Sequence, residues 1–393
     1  MAFSLLGEIV PHLCNYNTFA DDNCGIFYKM RVAIITTVDH NVGDDFVREG
    51  IKYLLRNHLK NQHVEFQYIH KHSPITSRYG FEWFRIYGLS SKVDKIIPLS
   101  FTRDRIVEAD WVVQSGAPVY WCHDGAHCYS NEWYSPLIEK RFVKSKNKKL
   151  LNLAAGTCQK YHSDGSEFCD HCKDYIKAFS QLSSLNTVRD SLAKVVLKDI
   201  GISAPVIPCS SIFAIDEFGL KNEGNDYVAV NYMRGGAHYI FGQKIDSDKW
   251  ENEFSKFYFE IKKRERVVIS CHSQKEFNTA KKLDPSGEIF FKKNDYGAYM
   301  RFYSRAKYGI MNRVHGALML ASFGKPSIVI GNDSRVRMAN EIGLETLFVN
   351  DADYQVLMHQ YEYLKSGANN YKERFIAIKE KAYEDYMKAL SVL

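Results

Sequence analysis

The sequence predicts an α/β protein built from two Rossmann-like, doubly wound domains that face each other across a cleft. Short apolar runs suited to parallel strands alternate with amphipathic stretches suited to helices over most of the 393 residues. A polar, turn-rich segment at residues 216–226 interrupts the alternation, and the same pattern restarts beyond it. The chain is long enough to form two hydrophobic cores.

The first predicted domain spans residues 30–220 and follows an N-terminal extension of residues 1–29. Its strands are short apolar runs, expected at residues 31–38, 64–69, 111–114 and 150–154. After the first strand, Asp44 or Asp45 is suited to cap a helix, because the apolar residues that follow recur at helical spacing. Further helices are predicted at residues 169–182 and 191–200.

The second predicted domain spans residues 221–370 and repeats the alternation. Its strands are expected at residues 227–231, 267–270, 308–311, 327–330 and 346–349. Residues 371–393 carry apolar side chains at helical spacing and are predicted to form a closing helix that packs back across the first domain. Two such α/β halves around a cleft suggest a GT-B-like architecture.

Composition and charge narrow the classes of function. The content of 45% hydrophobic and 25% charged residues is typical of a globular protein, and the net charge of +6 is mild for this length. The one basic cluster, residues 144–149, lacks interleaved aromatic residues, so nucleic-acid binding is not expected.

The sequence also bears on the cellular compartment. No apolar run is long enough to cross a bilayer, and the N-terminus lacks the basic start of a secretion signal. A cytoplasmic protein is therefore expected. Peripheral association with a membrane stays open, and so does the oligomeric state.

The most informative segment is residues 308–316, Tyr-Gly-Ile-Met-Asn-Arg-Val-His-Gly, followed by an apolar, helix-forming run. It predicts a strand that turns directly into a helix, with Arg313 and His315 at the turn. Unpaired backbone N–H groups and the positive end of the helix dipole make such a turn a site for anions. Arg313 can hold a carboxylate or phosphate, and His315 can move a proton near neutral pH. The segment therefore predicts an anion-handling active site.

This segment and three others resemble the polysaccharide pyruvyl transferase family. Residues 312–316 resemble its Arg-X-His signature, and the other pieces follow in the family's order at residues 41–44, 188–191 and 337–344. The resemblance covers about residues 30 to 350. It implies a GT-B-like fold and the transfer of pyruvate from phosphoenolpyruvate to a sugar as a cyclic ketal. The implied acceptor is a cell-surface glycan or its precursor, such as a sugar nucleotide or lipid-linked sugar, and catalysis requires no cofactor.

The resemblance also implies roles for individual residues. Arg313 would hold the carboxylate or phosphate of the donor, and His315 would donate the proton, so both are candidate catalytic residues. The expected donor-binding residues lie at strand ends of the second domain: Arg234, His272, Arg313, Val314 and Gly316. Two glycines after Arg234 would let the backbone approach an anion closely.

The expected acceptor-side residues follow strands of the first domain: Asn41, Gly43, Asp44, Ser115 and Gly116. Here the chain departs from the family pattern at two places. Residues 115–118 lack the consecutive glycines common in the family. Residues 209–213, Cys-Ser-Ser-Ile-Phe, stand where the family often shows Asp-Pro before a phenylalanine. Both departures bear on the identity of the acceptor.

Three cysteines form a second constellation. Cys169 and Cys172 make a Cys-x2-Cys pair and Cys158 lies upstream, a pattern that can place three sulfurs on one metal ion. A structural zinc ion is the expected occupant, with an iron–sulfur cluster as an alternative. The candidates for a fourth ligand are His162, His171, Cys209, Cys122 and Cys128. A reduced cysteine pair without metal is the competing interpretation.

The nearby segment 121–128, with Trp133 and Tyr134, is suited to a platform of aromatic rings that binds a sugar. An ordered loop without a ligand is the other interpretation of this segment.

Two other functions stay open. A nucleotide-sugar-dependent GT-B glycosyltransferase would use Arg313 on a diphosphate and His272 or His315 as a base. The sequence shows no acidic residue clearly suited to bind a ribose near this segment, which argues against it. A non-catalytic, metal-containing binding protein on the same fold would explain the departures and the cysteines, but not the presence of both Arg313 and His315.

Overall fold

The computed structural model describes residues 29–60, 62–79, 104–116, 118–122, 133–145 and 147–393. These residues form two domains, each with a parallel β-sheet, which confirms the predicted α/β class. The predicted N-terminal extension lies outside the described residues except for Lys29, which already belongs to the first strand.

The first sheet contains β1 (Lys29–Thr36), β2 (His63–His70), β3 (Trp111–Ser115), β4 (Pro118–Tyr120), β5 (Lys149–Thr157) and β6 (Leu185–Val188). Its order is β2-β1-β3-β5, and both β4 and β6 pair with β5. All of these pairs are parallel. The helices around it are α1 (Val42–His58), α2 (Pro74–Arg78), α3 (Arg105–Glu108), a π-helix (Tyr134–Phe142), α4 (Asp170–Leu182) and α5 (Ser191–Asp199).

A short connection leads to the second sheet through a 3-10 helix (Ser210–Phe213) and α6 (Ala214–Glu217). The predicted boundary at residues 220 and 221 falls between α6 and the next strand. The second sheet contains β7 (Tyr227–Asn231), β8 (Val267–Ser270), β9 (Glu288–Phe290), β10 (Ala306–Met311), β11 (Ser327–Gly331) and β12 (Glu345–Phe348). Its order is β12-β11-β10-β7-β8-β9, and all pairs are parallel.

The helices of the second domain are α7 (Ser247–Lys262), α8 (Gln274–Leu283), α9 (Tyr296–Arg305), α10 (Val314–Ser322), α11 (Arg337–Asn340) and α12 (Tyr354–Leu390), with 3-10 helices at Ser334–Val336 and Val349–Asp351. Strands β7 and β8 have the predicted bounds, and the other predicted strands overlap observed ones. The sequence pattern does not predict β4, β6 or β9. β4 and β9 span only three residues each, and β6, Leu-Asn-Thr-Val, contains two polar residues that interrupt an apolar run.

Helices α1 and α10 join the two domains. Phe46 and Val47 of α1 share one buried hydrophobic cluster with Ala317 and Leu320 of α10. Gly50 brings α1 against the Ser210–Phe213 helix, since a Cβ at this position would lie 1.8 Å from the Ser210 carbonyl oxygen. Two further clusters cover the outer faces of the sheets. A continuous core therefore runs from one sheet to the other.

The closing helix is longer than predicted. α12 begins at Tyr354 rather than at residue 371, so the second domain and the tail share one 37-residue helix. Asp353 caps it, because its Oδ1 accepts a hydrogen bond from the Val356 N–H at 2.9 Å. Its C-terminal part packs across the first domain as predicted, and the Tyr386 hydroxyl donates to the Pro208 carbonyl oxygen at 2.9 Å.

The domains also touch directly beside the cleft. The Ser334 N–H donates to the Gln159 carbonyl oxygen at 2.9 Å, and the Gln159 N–H donates to the Ser334 hydroxyl at 2.9 Å. Lys160 and Asp333 form an isolated antiparallel bridge at the same place. Within the residues that the structure describes, no helix has both the length and the apolar character of a membrane span.

Candidate active site

A cavity of about 770 Å³ lies between the two domains. Residues that follow β1 and β2 line one side of it, and residues that follow β7, β8, β10 and β11 line the other. The carboxyl ends of strands in both parallel sheets therefore open into one space, which is where α/β proteins bind ligands.

The turn between β10 and α10 is held by two asparagines. The Asn231 Oδ1 accepts a hydrogen bond from the Arg313 N–H at 2.9 Å. The Asn312 side chain accepts from the Met233 N–H and donates to the Ile330 carbonyl oxygen, both at 2.7 Å. Three neighbouring strand ends are thus tied together. The turn presents the predicted residues Arg313, Val314 and His315 to the cavity.

Arg313 is anchored by a buried carboxylate. Its Nε donates to Glu276 Oε1 at 3.1 Å, and its Nη2 contacts the same oxygen. Asn231 Nδ2 and the His272 N–H donate to the other oxygen at 2.9 and 3.0 Å. Burial would raise the pKa of Glu276, but the charges of Arg313 and His272 and the hydrogen bonds from the Arg313 guanidinium and the His272 N–H together outweigh it and hold the pKa below its usual range. Glu276 therefore stays ionised and fixes the guanidinium at the cavity wall.

His315 is a neutral base in the free protein. Burial lowers the pKa of His315 to about 3, the charges of Arg189, Arg335 and Arg313 add to this shift, and Asp44 opposes it. Its Nε2 lies 3.5 Å from Arg189 Nη1 and 3.9 Å from Cys209 Sγ. An anion that offset the arginine charges would favour the protonated imidazole.

The N-terminus of α1 meets His315 from the first domain. The Asn41 side chain caps this helix by accepting from the Gly43 N–H at 3.1 Å. A Cβ on Gly43 would lie 2.6 Å from His315 Nδ1, so only glycine leaves enough room for the imidazole in its observed position. Asn41 and Gly43 both line the cavity, and Gly43 acts here as a positioning residue for His315.

Asp44 also lines the cavity, as an ionised group. Its Oδ2 accepts hydrogen bonds from the Thr37 hydroxyl at 2.8 Å and from Lys71 Nζ at 3.2 Å. Burial would raise the pKa of Asp44, but the charge of Lys71 and the hydrogen bonds from Thr37 and Lys71, joined by the charge of His315 at the low pH where that ring is protonated, outweigh it and hold the pKa below its usual range. The carboxylate is thus available to stabilise a protonated His315.

Arg189 is the main functional candidate that the sequence analysis misses. It follows β6 and is fully buried, and its Nη1 also lies 3.7 Å from Cys209 Sγ. Gly156 makes room for it, since a Cβ there would lie 2.4 Å from Arg189 Nε. Within the described part of the chain, its Nε and Nη2 make no hydrogen bond and it has no carboxylate partner. The signal was present, because Arg189 belongs to the matched segment 188–191 and stands at a strand end.

Two more residues complete the charged lining. Arg335 lies at the cavity on the second domain, and its Nε donates to Asp333 Oδ1 at 2.9 Å. The sequence analysis does not select either residue, because neither belongs to a recognisable motif.

His272 lines the cavity. Its Nε2 lies 2.8 Å from the Tyr303 hydroxyl, and burial lowers the pKa of His272 to about 3.

The structure does not bring four of the predicted site residues into the cavity lining. Arg234 is 58% exposed and pairs with Asp248 and Glu251 on the surface. Ser115 is buried, and Gly116 has a φ of +45° and packs where a Cβ would lie 2.5 Å from Val47 Cγ1. Gly316 is buried against Tyr303, whose hydroxyl would lie 2.8 Å from a Cβ. These glycines are required by packing and backbone conformation.

The predicted metal ligands are corrected by the fold. Cys169 and Cys172 share a cluster with Cys122, and Cys158 is not part of it. Cys158 follows β5 and is buried close to Arg335 and Asp333. Of the candidate fourth ligands, Cys209 lies beside His315, His162 packs against Phe348, and Cys128 lies outside the described residues. Chain proximity pointed to Cys158, whereas Cys122, just beyond β4, contacts the start of α4.

Aromatic side chains form another part of the cavity wall. Trp121 and Tyr239 come from different domains, and their ring centroids lie 4.8 Å apart. Trp133 and Tyr175 line the same region of the first domain. Such a wall suits the apolar faces of a sugar ring. Of the aromatic residues considered for a sugar platform, Trp121 and Trp133 line the cavity, and Tyr134 packs against Tyr175.

Comparison with solved structures shows the fold. An S. aureus protein described as an MnaA-UDP co-structure superimposes with a TM-score of 0.53 and 12% identity, over 88% of this chain and 90% of that chain. A Listeria monocytogenes protein assigned as a UDP-N-acetylglucosamine 2-epimerase gives a TM-score of 0.50 and 11% identity, over 88% of this chain and 90% of that chain. The architecture is GT-B-like, as the sequence predicts.

Comparison of sequences shows the family. No curated protein sequence is significantly similar to the chain. Residues 41–334, however, match the family described as Polysaccharide pyruvyl transferase. The matched range begins at the cap of α1 and includes Arg189, the Arg313 to His315 turn and Asp333. This chain therefore belongs to the polysaccharide pyruvyl transferase family of transferases.

Proposed function

We propose that this protein transfers pyruvate from phosphoenolpyruvate to two hydroxyl groups of a sugar in a cell-surface glycan or its precursor. The observation that carries the proposal is Arg189, a buried guanidinium beside His315 whose Nε and Nη2 have no hydrogen-bond partner among the described residues. A buried charge without a partner is costly, so such a group is expected to meet an anion in the functional state.

Phosphoenolpyruvate offers two anionic groups for this site. Arg313, fixed by Glu276, can hold one of them. Arg189 can hold the other with Nε and Nη2, which have no hydrogen-bond partner in the described part of the chain. The two arginines come from different domains. Donor binding therefore draws on both sides of the cleft, rather than on the second domain alone as the sequence suggests.

The reaction needs an acid at the methylene carbon of the donor. His315 would give its proton to this carbon, which leaves cationic character at the neighbouring carbon. One sugar hydroxyl adds there and loses its proton, the bond to phosphate breaks, and a second hydroxyl closes the ketal with loss of its proton. One of these two protons restores His315 and the other leaves with phosphate, so the atoms balance.

The electrostatics of the site suit this role. Bound donor charges would offset those of the arginines, and Asp44 would further stabilise the imidazolium. In the free protein, burial and the arginine charges favour the neutral imidazole, so the proton would be held only while the donor is bound. The aromatic wall of Trp121, Trp133 and Tyr239 is the proposed seat of the acceptor sugar.

Calorimetry of phosphoenolpyruvate binding tests the proposal. Arg189→Met removes the buried charge of this side chain. The loss of its charge-assisted hydrogen bonds to the ligand should lower the affinity for phosphoenolpyruvate by a factor of about 30 or more. Arg234→Ala is the matched control, because this arginine is exposed and outside the cavity, and it should bind as the wild type does. UDP-, GDP- and CDP-sugars serve as competing ligands.

Activity completes the test through phosphate release and the mass of the acceptor product. Saturable binding that is lost in Arg189→Met and kept in Arg234→Ala supports the proposed donor. Binding of a nucleotide sugar with no response to phosphoenolpyruvate would overturn the proposal and favour a glycosyltransferase.

A further inference from the structure

The sulfur atoms of Cys122, Cys169 and Cys172 form a compact group outside the arginine-lined part of the cavity. All three lie within 4.8 Å of one another. Thiolates on a tetrahedral zinc ion, with Zn–S distances of about 2.3 Å, lie roughly 3.8 Å apart. Small side-chain adjustments would therefore place all three sulfurs on one ion.

We propose that Cys122, Cys169 and Cys172 bind a structural zinc ion. Three thiolates are a ligand set that zinc favours in proteins, and water or one more donor completes a tetrahedral shell. The proposal corrects the set expected from the sequence, in which Cys158 stood in place of Cys122.

The backbone around the cluster favours negative sulfur. Cys169 is the N-cap of α4 and Cys172 lies in its first turn, so both sulfurs are near the positive end of a helix. The Cys169 N–H donates to Cys122 Sγ at 3.4 Å. Hydrogen bonds from backbone N–H groups to sulfur and a helix N-terminus both stabilise thiolates, which are the form that binds metal.

Other buried cysteines show that burial alone does not produce this arrangement. Cys158 and Cys271 are also buried, but neither belongs to a group of metal-ligating side chains among the residues described. They are the matched controls that the chain itself supplies.

The ion would fix the aromatic wall of the cavity. Cys122 directly follows Trp121, and Cys172 lies three residues before Tyr175 on α4. Trp121 and Tyr175 both line the cavity. A metal bridge between the end of β4 and the start of α4 would hold these rings in a fixed relation. Zinc binding at this site does not depend on the chemistry proposed for the donor.

Metal analysis of the full-length protein, purified under reducing conditions with zinc in the growth medium, tests the site. The wild type should contain about one zinc per chain, and the Cys169→Ser/Cys172→Ser variant should contain at least about tenfold less. The Cys158→Ser/Cys271→Ser variant should keep the zinc of the wild type. Activity is not needed for this readout.

A second measurement uses the wild type alone, in case the first variant does not fold. After removal of zinc, a titration with Co²⁺ should give sulfur-to-metal charge-transfer bands and intense visible bands at about one equivalent. Added Zn²⁺ should abolish both. Absence of zinc and of a Co²⁺ spectrum would overturn the proposal. So would iron with acid-labile sulfide, a disulfide between two of the three cysteines, or zinc retained in Cys169→Ser/Cys172→Ser.

Discussion

Binding of phosphoenolpyruvate should be coupled to protonation of His315. In the free protein the pKa of this imidazole is about 3, so the ring is neutral at pH 6. The carboxylate and phosphate of the ligand would offset the charges of Arg189 and Arg313. If these charges, together with Asp44, also compensate for the burial of the ring, which is the largest cause of the low pKa, the pKa returns to about 6.5, the ordinary histidine value. His315 then takes up about three-quarters of a proton on binding at pH 6.

The sign of the pH dependence follows from the direction of the shift. The complex has the higher pKa and binds the proton more tightly than the free protein, so affinity rises as the pH falls below about 6.5 and continues to rise toward pH 3. Between pH 8 and pH 5, the contribution of His315 amounts to about a 30-fold gain in affinity.

The assay is calorimetry at pH 6 in two buffers with different ionisation enthalpies, which counts the protons taken up. His315→Gln is the reference, because it keeps the neutral hydrogen-bonding character of the ring but cannot be protonated. Proton exchange by the ligand itself is common to both proteins and cancels in the difference. Equal proton uptake by wild type and His315→Gln would refute the reasoning, since His315 would then keep the same protonation state throughout.

Two further changes test the groups that position the site. Gly43→Ala places a methyl group 2.6 Å from His315 Nδ1 and displaces the ring, so turnover should fall about 100-fold. Calorimetric affinity for phosphoenolpyruvate at pH 8, where protonation of His315 contributes little, should change little, and unchanged turnover would contradict the contact. Glu276→Gln leaves Arg313 without its buried, negatively charged partner and should lower the free energy of unfolding by about 3 kcal/mol. Chemical denaturation measures this change, and an unchanged denaturation midpoint would contradict it. Because the pKa of Glu276 lies below its unfolded value of 4.5, its contribution is present above pH 4.5 and is lost as the pH falls further.

Local sequence patterns determined most of the fold. Strands β7 and β8 are predicted with their observed bounds because each is a continuous buried apolar run between turn signals. The turn from β10 into α10 is equally local, since a strand, a polar pair and a helix follow one another within a few residues. For the same reason the sequence placed Arg313 and His315 in one site, and the structure brings both to the cavity.

Only the tertiary structure decided which distant residues join them. Arg189 and His315 are 126 positions apart, and Cys122 is 47 positions from Cys169. The spacing of apolar residues in a segment shows which of its side chains are buried, but not which other segments they contact. Those contacts depend on the order of the strands in each sheet and on the packing of α1 against α10. Gly43 and Gly156 show this clearly. Each is a glycine because a side chain distant in sequence occupies the space that a Cβ would take, His315 at Gly43 and Arg189 at Gly156, and the sequence alone names neither partner.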